Sequence, residues 1–227
     1  MNISQRKKIH IPVIKGFLKG KKIPLPPSLK GYRNFTSGLI KEALFQHIEN
    51  FFGVSLDGQK KLSISFFDLC AGSGQIGIEA YSRGMTPVHI VEKDKKRFDF
   101  ILENLKSFEK NGRRIHFHQK DFRRLADEIV LSLKTAVFID LPYTFWKKDG
   151  VCYHIDQFFM KYLEHLKKQV GLFSQEQKER FAHIFFIQSP VPYVIPDNLK
   201  NSNWFILDVD IKYYRKHYLV IIKIHLI

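Results

Sequence analysis

The 227 residues suffice for one domain, or one domain with an extension, and a 44% apolar content with 21 Phe is enough to pack a sizeable core. No apolar run approaches the roughly 18 residues a membrane span needs, and the basic start is not followed by the apolar stretch of a secretion signal. The formal charge of +15 points to an anionic partner, and Cys70 and Cys152, without metal-ligand spacing, suit packing roles in a reduced, cytoplasmic compartment.

The charge is uneven. The first 41 residues hold ten Lys or Arg and no acid, the first carboxylate being Glu42. A solvated tail would explain the charge alone. It would not explain the interleaved Ile9, Ile11, Val13, Ile14, Phe17, Leu18, Ile23 and Leu25, which predict ordered β structure. Residues 1–35 therefore read as a basic arm, a β-hairpin whose Lys15, Lys19, Lys21, Lys22 and Arg33 would hold nucleic-acid phosphates; residues 36–227 read as the main domain.

Past the arm, the periodicity alternates between helix and strand as an α/β fold requires. The predicted elements are a helix over 37–52, a strand over 62–68, a helix over 75–83, a strand over 87–92 and a helix over 95–109. A strand at 114–119, a helix at 122–133, a strand at 135–140 and a helix at 155–169 follow. The chain closes with a strand at 182–187 and an antiparallel hairpin of 204–211 with 218–226. Long loops are expected at 144–153 and 171–180.

Two motifs carry chemistry. In the first, Asp68 ends an apolar run, Gly72, Gly74 and Gly77 follow at a strand-to-helix turn, and Glu92 closes a second apolar run. Glycines let backbone approach a nucleotide, and a carboxylate at the second strand's end can accept both ribose hydroxyls. The same spacing fits the dinucleotide fingerprint of a nicotinamide-dependent oxidoreductase, or a merely structural turn. Asp68 argues for S-adenosylmethionine, because a carboxylate there suits an ammonium and a sulfonium and serves a pyrophosphate badly. The cofactor set is then Asp68, Ala71, Gly72, Ser73, Gly74, Glu92 and Lys93.

In the second motif, Asp140, Leu141, Pro142 and Tyr143 follow the apolar run 136–139, at the expected end of a parallel strand. An exocyclic base amine is a poor nucleophile, because its lone pair is delocalised into the ring. Asp140 and the Leu141 carbonyl would accept its two hydrogens and stabilise the charge that develops on nitrogen, while Tyr143 would stack on the extruded base. The bland alternative is a strand ending in a Pro turn. No Cys follows Pro142, which argues against carbon methylation, and Ser73 has no base beside it to make it a nucleophile. The ten His show no paired ligand spacing, so no metal is expected. Tyr213 to His217 reads equally as a basic aromatic patch or a solvated turn.

The stretch from Asp68 to Gly84, with Val91 to Asp94, Gln119 to Phe122, Asp140 to Tyr143 and the N-terminal Lys15-Gly16, Lys21 to Pro24, Gly31 to Arg33 and Lys41 to Phe45, resembles the RsmD-type 16S ribosomal RNA guanine-N2 methyltransferases. The resemblance runs from Ile9 to the C-terminus. It implies a Rossmann-like seven-stranded, mostly parallel sheet with a C-terminal antiparallel hairpin, preceded by a small N-terminal β-hairpin and helix. It also implies Glu92 on the cofactor ribose, Asp121 with Phe122 at its adenine, and Asp140 with Tyr143 at the target base. The partner would be ribosomal RNA or an assembling small ribosomal subunit, met by a monomer. The family has Pro where this chain has Leu141, which removes a rigid φ, although Pro142 still holds Leu141 extended. A second departure is Arg33 to Thr36 in place of Arg-Pro-Thr. A catalytically silent RNA-binding homologue is the alternative those departures leave open.

Overall fold

The computed structural model describes residues 10–26, 36–109, 112–129, 132–143, 145–146, 151–200 and 202–227. Arg33, one of the residues expected to hold phosphate, lies outside them.

Strands β1 (His10–Pro12) and β2 (Lys22–Pro24) pair antiparallel as the expected small hairpin. Helix α1 (Gly38–Phe52) starts at Ser37, whose side chain accepts from the Ile40 N–H, and stops at Gly53 in the left-handed conformation. Five parallel strands follow: β3 (Ser65–Leu69), β4 (Val88–Val91), β5 (Ile115–His118), β6 (Lys134–Asp140) and β7 (Ala182–Ser189). Strands β8 (Phe205–Tyr214) and β9 (His217–Leu226) add the antiparallel hairpin. The order across the seven-stranded sheet is β5-β4-β3-β6-β7-β9-β8. It reverses direction at β3 and β6, so the crevice of such a sheet opens at the carboxyl ends of these two strands.

Crossover helices are α2 (Gln75–Ser82), α3 (Lys95–Leu105) and α4 (Val151–Val170); the short α5 (Gln175–Glu179) and α6 (Asp197–Lys200) lie before and after β7. One apolar cluster joins β3, β6, β7 and β9 to α4, and another lies under α1, α2 and the arm.

Four expectations need correction, among them the loop expected at 171–180, which holds the short helix α5. Over its described residues 122–129 the predicted helix of 122–133 is not formed: Phe122–Arg124 make a 3-10 turn, and i→i+3 bonds continue from the Leu125 N–H to Phe122 O and from the Glu128 N–H to Leu125 O. Phe122, Leu125, Ala126 and Ile129 are buried as the periodicity required, but a spacing of three serves a 3-10 turn as well as an α-helix. The strand expected from residue 62 starts at Ser65, because Leu62 bridges only Met85. The loop expected at 144–153 ends sooner, as α4 takes up Val151.

The arm is built into the domain. Val13, Leu18 and Ile23 are buried in the cluster under α1 and α2. The backbone N–H groups of Ile14 and Lys15 each donate to the Glu79 carboxylate at 2.9 Å, and the same Glu79 accepts from Arg83 Nε at 3.0 Å. Gly16, at φ +89°, passes so close to α2 that a Cβ there would lie 2.0 Å from the Ser82 carbonyl oxygen. Deleting the arm would take two backbone donors from Glu79, leaving it Arg83, and would uncover core.

Candidate functional site

A cleft of about 660 Å³ opens at the carboxyl ends of β3, β4, β5, β6 and β7, where the sheet order reverses. It gathers Asp68, Ala71, Gly72, Ser73, Glu92, Lys93, Asp121, Phe122 and Asp140 to Tyr143 from both motifs. Gly74 is not on its wall. At φ +73° it caps α2, and a Cβ would meet the Leu105 side chain at 2.5 Å, so its glycine serves helix packing.

The turn after β3 is held from beneath by carboxylates. Asp68 Oδ2 accepts from the Gly77 N–H at 2.9 Å. Glu92 accepts from the Gly72 N–H through Oε2 and from the Asp94 N–H through Oε1, both at 2.9 Å. Each Glu92 oxygen keeps a lone pair for another donor. The Gly74 N–H is likewise used, on the Ala71 carbonyl at 2.8 Å. Between Leu69 and Ala71, Cys70 takes a left-handed φ of +63°, a conformation that costs a non-glycine residue about 1–3 kcal/mol. Nothing in the sequence signals that strain. Burial pushes the Cys70 thiol well up, and the surrounding carboxylates add to the effect.

Burial also pushes Asp68 up to about 8, against the Gly77 hydrogen bond, and raises Glu92 despite its two backbone donors. Asp140, half-buried at the end of β6, is pushed up to about 7 by burial; Thr36 Oγ1 donates to its Oδ2 at 3.5 Å. Three acids thus face one cleft at a high cost of ionisation, which a cationic ligand would relieve.

At the other end Asp121 is held well below the ordinary carboxylate range. Arg123 donates to it through Nε at 2.9 Å and Nη2 at 2.5 Å, and Lys93 Nζ pairs with it at 2.9 Å. Phe122 is buried, its ring 5.6 Å from that of Phe158. Ser73 Oγ and Gln75 Oε1, also on the cleft wall, are buried with no hydrogen-bond partner among the described residues. These orphaned groups, with a turn of glycine and small residues above an acidic floor, fit the aminoacyl end of S-adenosylmethionine.

Leu141 is buried in the apolar cluster on the α4 side of the sheet, so the side chain that replaces the family's proline is anchored by packing. The Pro142 carbonyl accepts from the Phe145 N–H at 2.8 Å. The Tyr143 hydroxyl lies 2.7 Å from His217 Nδ1, and the two rings are near parallel with centroids 5.4 Å apart. Gln188 Nε2 donates to the same hydroxyl at 3.4 Å. Thr36, Arg123 and Gln188 have no role in the sequence reading, and His217 enters it only within the basic aromatic patch or solvated turn of Tyr213 to His217. Gln188 pairs in register with Asp140 across β6 and β7, a placement that no local signal announces. The contact of His217 with Tyr143 has none either, because it depends on how the closing hairpin folds back.

Of the residues expected to hold phosphate, the described Lys15, Lys19, Lys21 and Lys22 are not on the cleft wall. Lys19, Lys21 and Lys22 are exposed on the arm, and Lys15 pairs with Glu49 at 3.2 Å. Among the described residues no His, Cys, Asp or Glu cluster could hold a metal ion, and no helix is long and apolar enough to cross a membrane.

Residues 11–183 match the family described as Conserved hypothetical protein 95. A Bacillus subtilis protein provisionally named rRNA methyltransferase YlbH is 30% identical over 131 residues, which span 55% of this chain and 64% of that relative's length. Among solved structures, a protein of Escherichia coli provisionally described as the methyltransferase yhhF superposes with a TM-score of 0.62 at 19% identity, covering 96% of this chain and 99% of that one. The methylase HI0767 of Haemophilus influenzae, also a provisional description, gives a TM-score of 0.57 at 16% identity over 95% and 98% of the two chains. These structures share the fold.

Proposed function

The chain belongs to the Conserved hypothetical protein 95 family, the RsmD type, and from that premise we propose that it transfers a methyl group from S-adenosylmethionine to the N2 amine of a guanine in 16S ribosomal RNA. The observation that carries the reading is the hydrogen bonding of the glycine turn. The Gly72 and Gly74 N–H groups are given to Glu92 and Ala71, and the acids Asp68, Glu92 and Asp140 face the cleft. A dinucleotide site needs those amides for a pyrophosphate, and three carboxylates would repel it.

In this reading Glu92 accepts the ribose hydroxyls, Phe122 and Asp121 border the adenine, and Asp68, Ser73 and Gln75 face the aminoacyl end. S-adenosylmethionine, when bound, supplies an electrophilic methyl on a sulfonium. Ionised Asp140 and the Leu141 carbonyl accept the two amine hydrogens and localise the nitrogen lone pair, and Asp140 takes the proton the amine sheds once the N–C bond has formed. A base whose pKa sits near 7 suits that proton transfer at neutral pH. The exposed Lys19, Lys21 and Lys22 would grip the RNA backbone, in rRNA or in an assembling small subunit.

Titration calorimetry with S-adenosylhomocysteine and with NAD, together with mass spectrometry of rRNA from a strain lacking the protein, tests the reading. Adenosylhomocysteine should bind, more weakly in a folded Glu92→Ala protein, and one N2-methylguanosine should be missing from the 16S rRNA and be restored by the purified enzyme. Binding of NAD alone, or cofactor binding without any transfer to rRNA, would overturn it.

A further inference from the structure

Gln188 sits near the end of β7 as the register partner of Asp140 on β6, so the two side chains leave the same face of the sheet about 4.8 Å apart along the hydrogen-bonding direction. It is 3% exposed and lines the cleft, yet its Oε1 has no hydrogen-bond partner among the described residues. A buried acceptor left unpaired is costly, and one that faces a ligand cleft is a reading head for a donor.

The amide nitrogen, unlike the oxygen, has a partner. Gln188 Nε2 donates to the Tyr143 oxygen at 3.4 Å. The same hydroxyl lies 2.7 Å from His217 Nδ1, within hydrogen-bond distance. With Nε2 on Tyr143, Oε1 is the buried polar atom left without a partner among the described residues, in a side chain that lines the cleft beside Asp140.

We propose that Gln188 selects guanine by accepting the N1–H that adjoins the amine held at Asp140. This rests on the base-amine reading of the site. Guanine carries two adjacent donors on its Watson–Crick edge, the N2 amine and N1–H. Adenine and cytosine also offer an amine, but the ring nitrogen beside it is an acceptor, which would meet Gln188 Oε1 lone pair to lone pair. A site built to bond a donor rejects an analogue lacking it, because the buried partner is left unsatisfied.

The test uses the full-length protein and small-subunit rRNA carrying either guanine or 2-aminopurine at the methylated position. Both bases have the N2 amine; 2-aminopurine lacks N1–H and presents an acceptor there. Wild-type enzyme should methylate the guanine RNA about ten- to a hundredfold faster in kcat/KM. Gln188→Met, of similar length and without an acceptor, should lose guanine transfer by a similar factor and bring the two RNAs close to equal. Its adenosylhomocysteine affinity should stay at the wild-type value, which shows that the cleft is folded. A wild-type enzyme indifferent to the exchange, or a variant that keeps the full guanine preference, would overturn the inference alone. Failure of wild-type enzyme to methylate any rRNA guanine would overturn both it and the function on which it rests.

Discussion

Asp140→Asn should make the protein more stable and, at the same time, nearly inactive. Burial raises the Asp140 carboxyl from an ordinary 3.8 to about 7, so at pH 8 the fold must hold a charge that the unfolded chain carries freely. At about 1.4 kcal/mol per tenfold change in ionisation, that is about 4 kcal/mol before water at the cleft mouth screens it, leaving roughly 1–2 kcal/mol to gain. Neutralising Asp140 also removes one of the charges that push Asp68 up. For a chain of this size the gain corresponds to a rise in Tm of roughly 3–6 °C. The sign follows from linkage. The folded state keeps its proton up to about 7 while the unfolded state releases it near 3.8, so the cost to wild type grows through this interval and is constant above it. The gain from Asn should accordingly be full at pH 8, shrink as the pH falls from 7 toward 4, and vanish below that. Methyl transfer should fall by about a hundred- to a thousandfold, because an amide neither takes the amine proton nor balances the charge on nitrogen. Thermal unfolding at pH 8, 6 and 4.5, beside a transfer assay, reads both. A variant whose Tm shift is the same at all three pH values, or whose turnover survives, would refute the assignment of Asp140 as the buried base.

Two further outcomes follow from the arm. Gly16→Ala forces a Cβ to 2.0 Å from the Ser82 carbonyl at a φ of +89°, and should destabilise by about 2–4 kcal/mol, seen as a drop in denaturation midpoint; unchanged stability would mean that the arm is not clamped to α2. Exchanging the exposed Lys19, Lys21 and Lys22 for Ser should leave adenosylhomocysteine binding intact while the log–log salt slope of RNA affinity falls by roughly 0.7–0.9 for each phosphate that is no longer neutralised; an unchanged slope would move the RNA surface elsewhere.

The strands and the two motifs were legible because their signals are local. An apolar run ending in Asp68 or Asp140 announces a buried parallel strand and what stands at its mouth, and the glycine spacing announces the turn between. Where sequence reading failed, either the local signal was degenerate or the deciding neighbour was distant in the chain. Phe122, Leu125, Ala126 and Ile129 satisfy a helix and a run of 3-10 turns equally, and the backbone took the second. The left-handed Cys70 sits where the chain leaves β3 for the glycine turn, and no preference of cysteine announces it. Gln188 and His217 are ordinary strand residues until β7 is set beside β6 and the final hairpin brings His217 to Tyr143.

The arm shows the same dependence on tertiary placement, with a functional consequence. Helix α2 is eight residues long and buried along its whole length, about 12 Å of rigid rod. Its first turn gives the Gly77 N–H to Asp68 beneath the cofactor turn, and its last turn offers Glu79 and Ser82 to the arm's backbone at Ile14, Lys15 and Leu18. A carboxylate that accepts two backbone N–H groups and a buried Arg83 leaves that junction little freedom. If the arm's lysines hold RNA, the span between the gripped phosphates and the reacting amine is then set by one short helix. A basic tail on a flexible tether would raise affinity for any RNA. On that premise a basic hairpin fixed to the helix that shapes the glycine turn would add a distance requirement, and only RNA that presents an extruded base at that distance would satisfy both ends.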